Sequence, residues 1–165
     1  MSRSRFIALA AGIASIYASL TVMLAPISYG TVQIRVSEAL TLLAAFTPAA
    51  IPGLFVGCLI SNIYMGNLTD IIFGSLTTLV AAFLTHKLRK RQWLVPLPPI
   101  LLNAVVVGYY LTAQHGGFVW MNILSVGAGQ FVACFIIPIY FIVNFESAKI
   151  KVNKLLNPDN IHTNG

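Results

Sequence analysis

The residues able to do chemistry in this chain are few, and they sit in or beside apolar runs. Of its four acids, Glu38 and Asp70 border such runs, and Arg35 stands three residues before Glu38. Asn62, Asn103, Asn122 and Gln130 are carboxamides embedded in similar stretches. Polar groups inside hydrocarbon are costly and normally face a cavity or one another. Counting helical rise brings Glu38, Asn62, Asp70 and Asn122 to one depth on four segments, with Asn103 and Gln130 deeper. Asn103 and Tyr110 are seven residues apart and share a helix face, with Tyr110 about 10 Å further out. A polar floor and an aromatic wall make a ligand slot, and Trp120 offers a further ring.

A structural reading stays open for each of these residues. Arg35 and Glu38 could form an interfacial ion pair. Asp70 could complement a helix dipole with Thr69 as the cap. The amides could be hydrogen-bond links between helices. Trp93 and Trp120 have the position of an interfacial belt. In the first run Ala10, Ala14 and Ala18 form a ridge of small residues, flanked by Ala8, Gly12, Ala11, Ser15 and Ser19. Such spacing lets helix backbones approach closely, within a bundle or against a partner.

The motifs that are missing narrow the chemistry. There is no GxxxxGK[ST] phosphate loop, no HExxH and no GxSxG. His86, His115 and His162 have no ligand spacing, and Cys58 and Cys134 read as buried packing residues, so no metal and no cofactor is expected.

The elements that must position these groups follow from composition. The chain has 165 residues, 58% hydrophobic and 8% charged, where a soluble domain carries about 25% charged residues. The expectation is an all-α polytopic membrane protein. Six transmembrane helices are expected over about 6–26, 35–47, 49–66, 69–86, 93–112 and 119–145, within a domain covering 1–148. A polar cytoplasmic tail, 149–165, follows. The apolar run after Arg3 and Arg5 is too long for a secretory signal and reads as a retained first helix. The second span is the weak point, since ten to twelve α-helical residues reach only about 15–18 Å. The alternative is one long helix over 38–66, kinked at Pro48 and Pro52.

The net charge is +6. With six spans and both termini cytoplasmic, Arg3/Arg5, Lys87–Arg91 and Lys149–Lys154 fall on one side, which satisfies the positive-inside bias. Five spans with the N-terminus outside misplace only Arg3 and Arg5. Nucleic acid is not an expected partner, since no binding motif accompanies the charge; membrane lipid is.

Several motifs occur in order: the run from Arg35 through Glu38 to Leu43, the run from Phe46 to Asn62, the run from Asp70 to Leu79, and the run from Pro96 to Gly108. Together they resemble the QueT family of queuosine-precursor transporters, substrate-binding S components of energy-coupling factor (ECF) transporters. The resemblance covers about 6–146. It implies an S-component-like bundle in the cell membrane, an outer pocket covered by the connector after the first span, and three partners: a transmembrane coupling subunit and two ATPases. It gives Ala10, Ala14 and Ala18 a role in docking that subunit. It implies a 7-deazaguanine substrate, whose two adjacent N–H donors a carboxylate such as Glu38 can accept. Arg35 would hold Glu38 oriented, the amides would serve the ring carbonyl, Tyr110 or Trp120 would stack, and Asp70 would take an amine substituent. Gln130 departs from the glutamate expected there. A stand-alone secondary transporter is the alternative, and the lack of titratable groups near the midplane argues against it.

Overall fold

The computed structural model describes residues 2–28 and 34–139. The end of the expected sixth span, the 149–165 tail with its basic cluster, and residues 29–33 of the first connector lie outside the described residues. What is described is helical throughout: α1 (Arg3–Met23), α2 (Val36–Ala45), α3 (Ala50–Met65), α4 (Asp70–Leu88), α5 (Leu97–His115) and α6 (Val119–Ile139), with short helical turns at Ala25–Ser28 and Gln92–Leu94. Four of these, α1, α4, α5 and α6, are long and apolar enough to cross a membrane. Large apolar side chains cover the outside of the bundle, among them Ile16, Ile60, Val80, Leu101 and Leu124. A perimeter of this kind suits lipid rather than water.

α2 settles the question left by residues 38–66. It is a 3-10 helix, and Phe46–Ala49 separates it from α3, so the kinked single helix is ruled out. A 3-10 helix rises about 2.0 Å per residue against 1.5 Å for the α form. Ten residues therefore reach about 20 Å, further than the α-helical count allowed. At its start Arg35 meets Asp70, the first residue of α4, and near its end the Ala44 carbonyl meets His86 in the last turn of α4.

Glycines set the direction of its neighbours. A Cβ at Gly53 would lie 2.7 Å from the Ala10 oxygen, and one at Gly57 would lie 2.8 Å from the Ala14 oxygen. The two contacts advance in step, so α1 and α3 run parallel and α2 is the return leg between them. Gly66 (φ 75°) ends α3 in the left-handed region, and its N–H donates to the Asn62 and Ile63 carbonyls. Asn67 Oδ1 then accepts the Thr69 N–H at 3.1 Å, so Asn67, not Thr69, caps the helix that carries Asp70. α5 begins at Leu97 rather than 93, because Pro98 and Pro99 fit only a first helical turn. α6 packs back on α5, where Gly108 leaves room for the Ile123 backbone.

Candidate functional site

The interior of this apolar bundle holds a polar cluster arranged in two tiers. In the upper tier, Arg35 Nη2 donates to Asp70 Oδ1 at 2.8 Å, and the Tyr110 hydroxyl donates to the same oxygen. Asn62 Nδ2 donates to the Asp70 carbonyl (2.8 Å) and to Ser75 Oγ (3.2 Å). Both members of the ion pair are 2% exposed. Gly74 makes the tier possible: a Cβ there would stand 3.3 Å from Asn62 Nδ2 and 3.5 Å from Asp70 Oδ1. Residues Asp70–Gly74 form a π-helical turn, and a second one, Val132–Ile136, lies in α6. Such turns shift helical register and recur at functional sites.

The lower tier is built around Glu38. Its Oε1 accepts from the Tyr17 hydroxyl at 2.5 Å and from Thr78 Oγ1 at 3.1 Å. Its backbone carbonyl accepts from Thr41 Oγ1 and from Cys134 Sγ (3.4 Å). Thr78 also reaches Cys58 Sγ at 3.5 Å, and Asn62 Nδ2 reaches the same sulfur from above at 3.3 Å. Glu38 is fully buried, yet its Oε2 has no hydrogen-bond partner among the described residues. Asn103 donates one amide N–H to the Pro99 carbonyl at 2.9 Å, and the amide also stands close enough to act on the Glu38 carboxylate as a donor. Asp70 Oδ1 lies beside Gly74, and Thr78 is one turn further along α4, so the Glu38 carboxylate lies about 6 Å deeper than that of Asp70. The sequence had placed the two acids at one depth.

Other expectations are met only in part. Arg35 is near enough to act electrostatically on Glu38, but its ion pair is with Asp70. Asp70 is therefore already engaged by a cation and a phenol, and a ligand amine would have to displace Arg35 from it. Glu38 cannot offer both oxygens freely, because Oε1 already holds two donors; the open acceptor is Oε2 alone. Gln130 is buried behind Glu38, where its Oε1 accepts from Cys134 Sγ at 3.7 Å. Asn122 instead closes the α5–α6 turn, donating to Thr112 Oγ1 (2.9 Å) and to the Gly116 carbonyl (3.4 Å). Trp120 points outward, 76% exposed, as an interfacial residue would.

The alanine ridge also turns inward. Ala14 is buried, and the carbonyls of Ala10 and Ala14 press on Gly53 and Gly57; Ala18 is half-buried. The face of α1 left open carries Ala8, Ala11, Gly12, Ser15 and Ser19 instead. Tyr17, Thr78, Thr41 and Ser75 were missed as members of the cluster. Tyr17 alone carried a signal, as a tyrosine well inside an apolar run rather than at its edge.

Open space approaches the cluster from one side. A groove of about 530 Å³ between α4 and α5 is lined by Thr69, Phe73, Val106, Tyr109, Tyr110 and others. The Tyr110 ring separates it from Asp70.

Comparison with known proteins agrees with this architecture. Residues 7–146 match the model of a family described as the QueT transporter. Over 70 residues the chain is 43% identical to the queuosine precursor transporter QueT of Lactococcus lactis subsp. cremoris (strain MG1363). That stretch is 41% of this chain and 41% of the relative, so the match spans about two fifths of the relative's length. No solved structure matches the chain. Since the family match takes in part or all of each of the six helices and most of the chain, this multi-pass membrane protein belongs to the QueT transporter family.

Proposed function

We propose that the chain is the substrate-binding membrane subunit of an ECF-type importer for a queuosine precursor, a 7-deazaguanine, with a coupling subunit and two ATPases as partners. One observation carries the reading. In a bundle walled by apolar side chains, Glu38 is fully buried with one carboxylate oxygen unpartnered among the described residues. A buried acceptor without a donor is unfavourable, and a ligand that supplies N–H groups relieves it. The amidine-like edge of a 7-deazaguanine is such a donor. Tyr17 and Thr78 hold the other oxygen, so the carboxylate is oriented before the ligand arrives. Asn103 stands near for the ring carbonyl.

In this reading α2 and α3 are the second and third of six crossings, and both termini are cytoplasmic. The Lys87–Arg91 turn is then cytoplasmic as well, and Gln114 faces outside. Docking of the coupling subunit falls to the open small-residue face of α1, since Ala14 is occupied by α3.

A stand-alone secondary transporter is the second reading. The depth of Glu38 favours it, because a titratable group there meets a requirement that the sequence had not met. Two measurements separate the readings. Mass spectrometry of ligand retained by the detergent-purified chain should find a 7-deazaguanine. Uptake of that compound should require co-expression of coupling and ATPase subunits. Uptake by the chain alone would establish the secondary transporter, and retention of an unrelated solute would refute the substrate.

A further inference from the structure

The opposite end of the bundle from Asp70 carries a feature that ligand binding leaves unused. Lys87, Arg89, Lys90 and Arg91 fall within five residues at the end of α4, and all four are exposed. They are not a loose charge run. The Arg91 N–H donates to the Leu88 carbonyl at 2.8 Å and the Leu94 N–H to the Arg91 carbonyl at 2.9 Å. Thr85 Oγ1 ties the Val95 carbonyl back to α4 at 3.3 Å. The turn therefore presents its cations from a hydrogen-bonded frame.

Its height in the membrane is marked on both sides. The Lys87 ammonium lies 4.7 Å from the centre of the Phe83 ring, one turn back on the lipid-facing side of α4, where Phe83 is 45% exposed. Trp93, just beyond the cluster, is 72% exposed. An outward phenylalanine, a lysine lying along it and an exposed indole define an interfacial zone. No acid among the described residues neutralises these cations: Glu38 is buried in the lower tier and Asp70 is paired with Arg35. Arg89 Nη1 instead contacts His86 Nε2, and His86 Nδ1 contacts the Ala44 carbonyl at 2.6 Å. The cluster is thus linked to the end of the 3-10 helix that carries Glu38.

We propose that the Lys87–Arg91 turn is a binding site for the headgroup of an anionic phospholipid, with the Trp93 indole beside it. The phosphodiester and the negative leaflet charge complement four cations that have no protein counter-ion among the described residues, and the acyl chains lie along Phe83. A charge run that only sets topology during insertion needs no such selectivity in the folded protein, and that difference makes the idea testable.

The two tryptophans make the experiment direct, since Trp93 is beside the turn and Trp120 begins α6 at the other end of the bundle. The full chain is reconstituted as W120F, leaving Trp93 as reporter, and as W93F, leaving Trp120. Quenching is measured with bilayers containing equal fractions of shallow-brominated phosphatidylglycerol or phosphatidylcholine. The expected result is at least about threefold enrichment of phosphatidylglycerol at Trp93, with none at Trp120. Substituting Lys90→Gln with Arg91→Gln should remove the enrichment, and the wild-type lipid comparison stands even if that variant inserts poorly. Equal quenching by the two lipids at Trp93, or equal enrichment at both tryptophans, would overturn the proposal. Binding of polyglutamate in phosphatidylcholine without phosphatidylglycerol enrichment would assign the turn to an acidic protein surface and overturn it equally.

Discussion

The two buried carboxylates among the described residues sit in similar surroundings and are treated differently. Asp70 has a guanidinium at 2.8 Å and a phenol on the same oxygen, and it is enclosed at the junction of α2, α3, α4 and α5. Glu38 has a phenol and a threonine on one oxygen and leaves the other open. A buried ion pair is a poor stabiliser compared with apolar packing, but breaking one is strongly destabilising. The difference therefore separates two jobs. Asp70 with Arg35 fixes where α2 enters the bundle, and in the proposed function Glu38 is the group held ready for a donor from outside the chain.

The largest effect that would break this comparison comes from Arg35. Arg35→Met leaves Asp70 as an unpaired buried charge and should cost about 3–5 kcal/mol. Thermal unfolding in detergent reads this as a large fall in the midpoint. Adding Asp70→Asn should restore most of the loss, because the uncompensated charge is gone. A double variant as unstable as the single one would show that Arg35 acts through other contacts.

A smaller effect tests the support behind Glu38. Gly57→Ala places a Cβ 2.8 Å from the Ala14 oxygen and from Tyr17 Cβ, which forces α1 and α3 apart at a cost of about 1–3 kcal/mol. It also displaces the phenol that orients Glu38, so ligand affinity should fall with stability. Gly12→Ala, with nothing within 4 Å, is the matched control and should change neither. Tyr110→Phe removes one hydrogen bond from Asp70 and should cost about 1.5–3 kcal/mol at most, since the acceptor is charged. Its ligand affinity should stay within a few-fold of wild type by titration. Trp120→Phe should be the smallest, within about 0.5 kcal/mol and with unchanged affinity, because the ring is outside the cluster. A binding defect there would move the site outward.

Part of this arrangement could be read before the fold was known, and the rest could not for identifiable reasons. Long apolar runs between polar connectors announced α1, α4, α5 and α6, because length and hydropathy are sufficient for a membrane helix. Glu38, Asn62, Asp70, Asn103 and Tyr110 were legible because polar groups in apolar runs need partners. Composition did not distinguish the 3-10 form of α2: Val36–Ala45 has an ordinary helical composition, and its geometry is set by having to reach from Asp70 to His86 in ten residues. Depth was counted from rise, but the face each side chain takes comes from packing. That is why Asn122 and Trp120 were placed at the site, and why Tyr17 and Thr78 were not. The ridge Ala10, Ala14 and Ala18 was visible, and six crossings already make the first and third helices parallel, but that the glycines Gly53 and Gly57 receive the ridge is a matter of packing.

The distinction between the two carboxylates rests most directly on calorimetric titration of a 7-deazaguanine base into purified Glu38→Gln and Asp70→Asn proteins. Glutamine at 38 can keep the bonds from Tyr17 and Thr78 at its carbonyl oxygen and presents an N–H where Oε2 was. Charge-assisted hydrogen bonds contribute about 1.5–3 kcal/mol each, so affinity should fall by about 10²-fold or more while the unfolding midpoint stays near wild type. Asp70→Asn should do the reverse, lowering stability and keeping affinity within about tenfold. Wild-type affinity in Glu38→Gln, together with lost binding in a folded Asp70→Asn, would contradict the account.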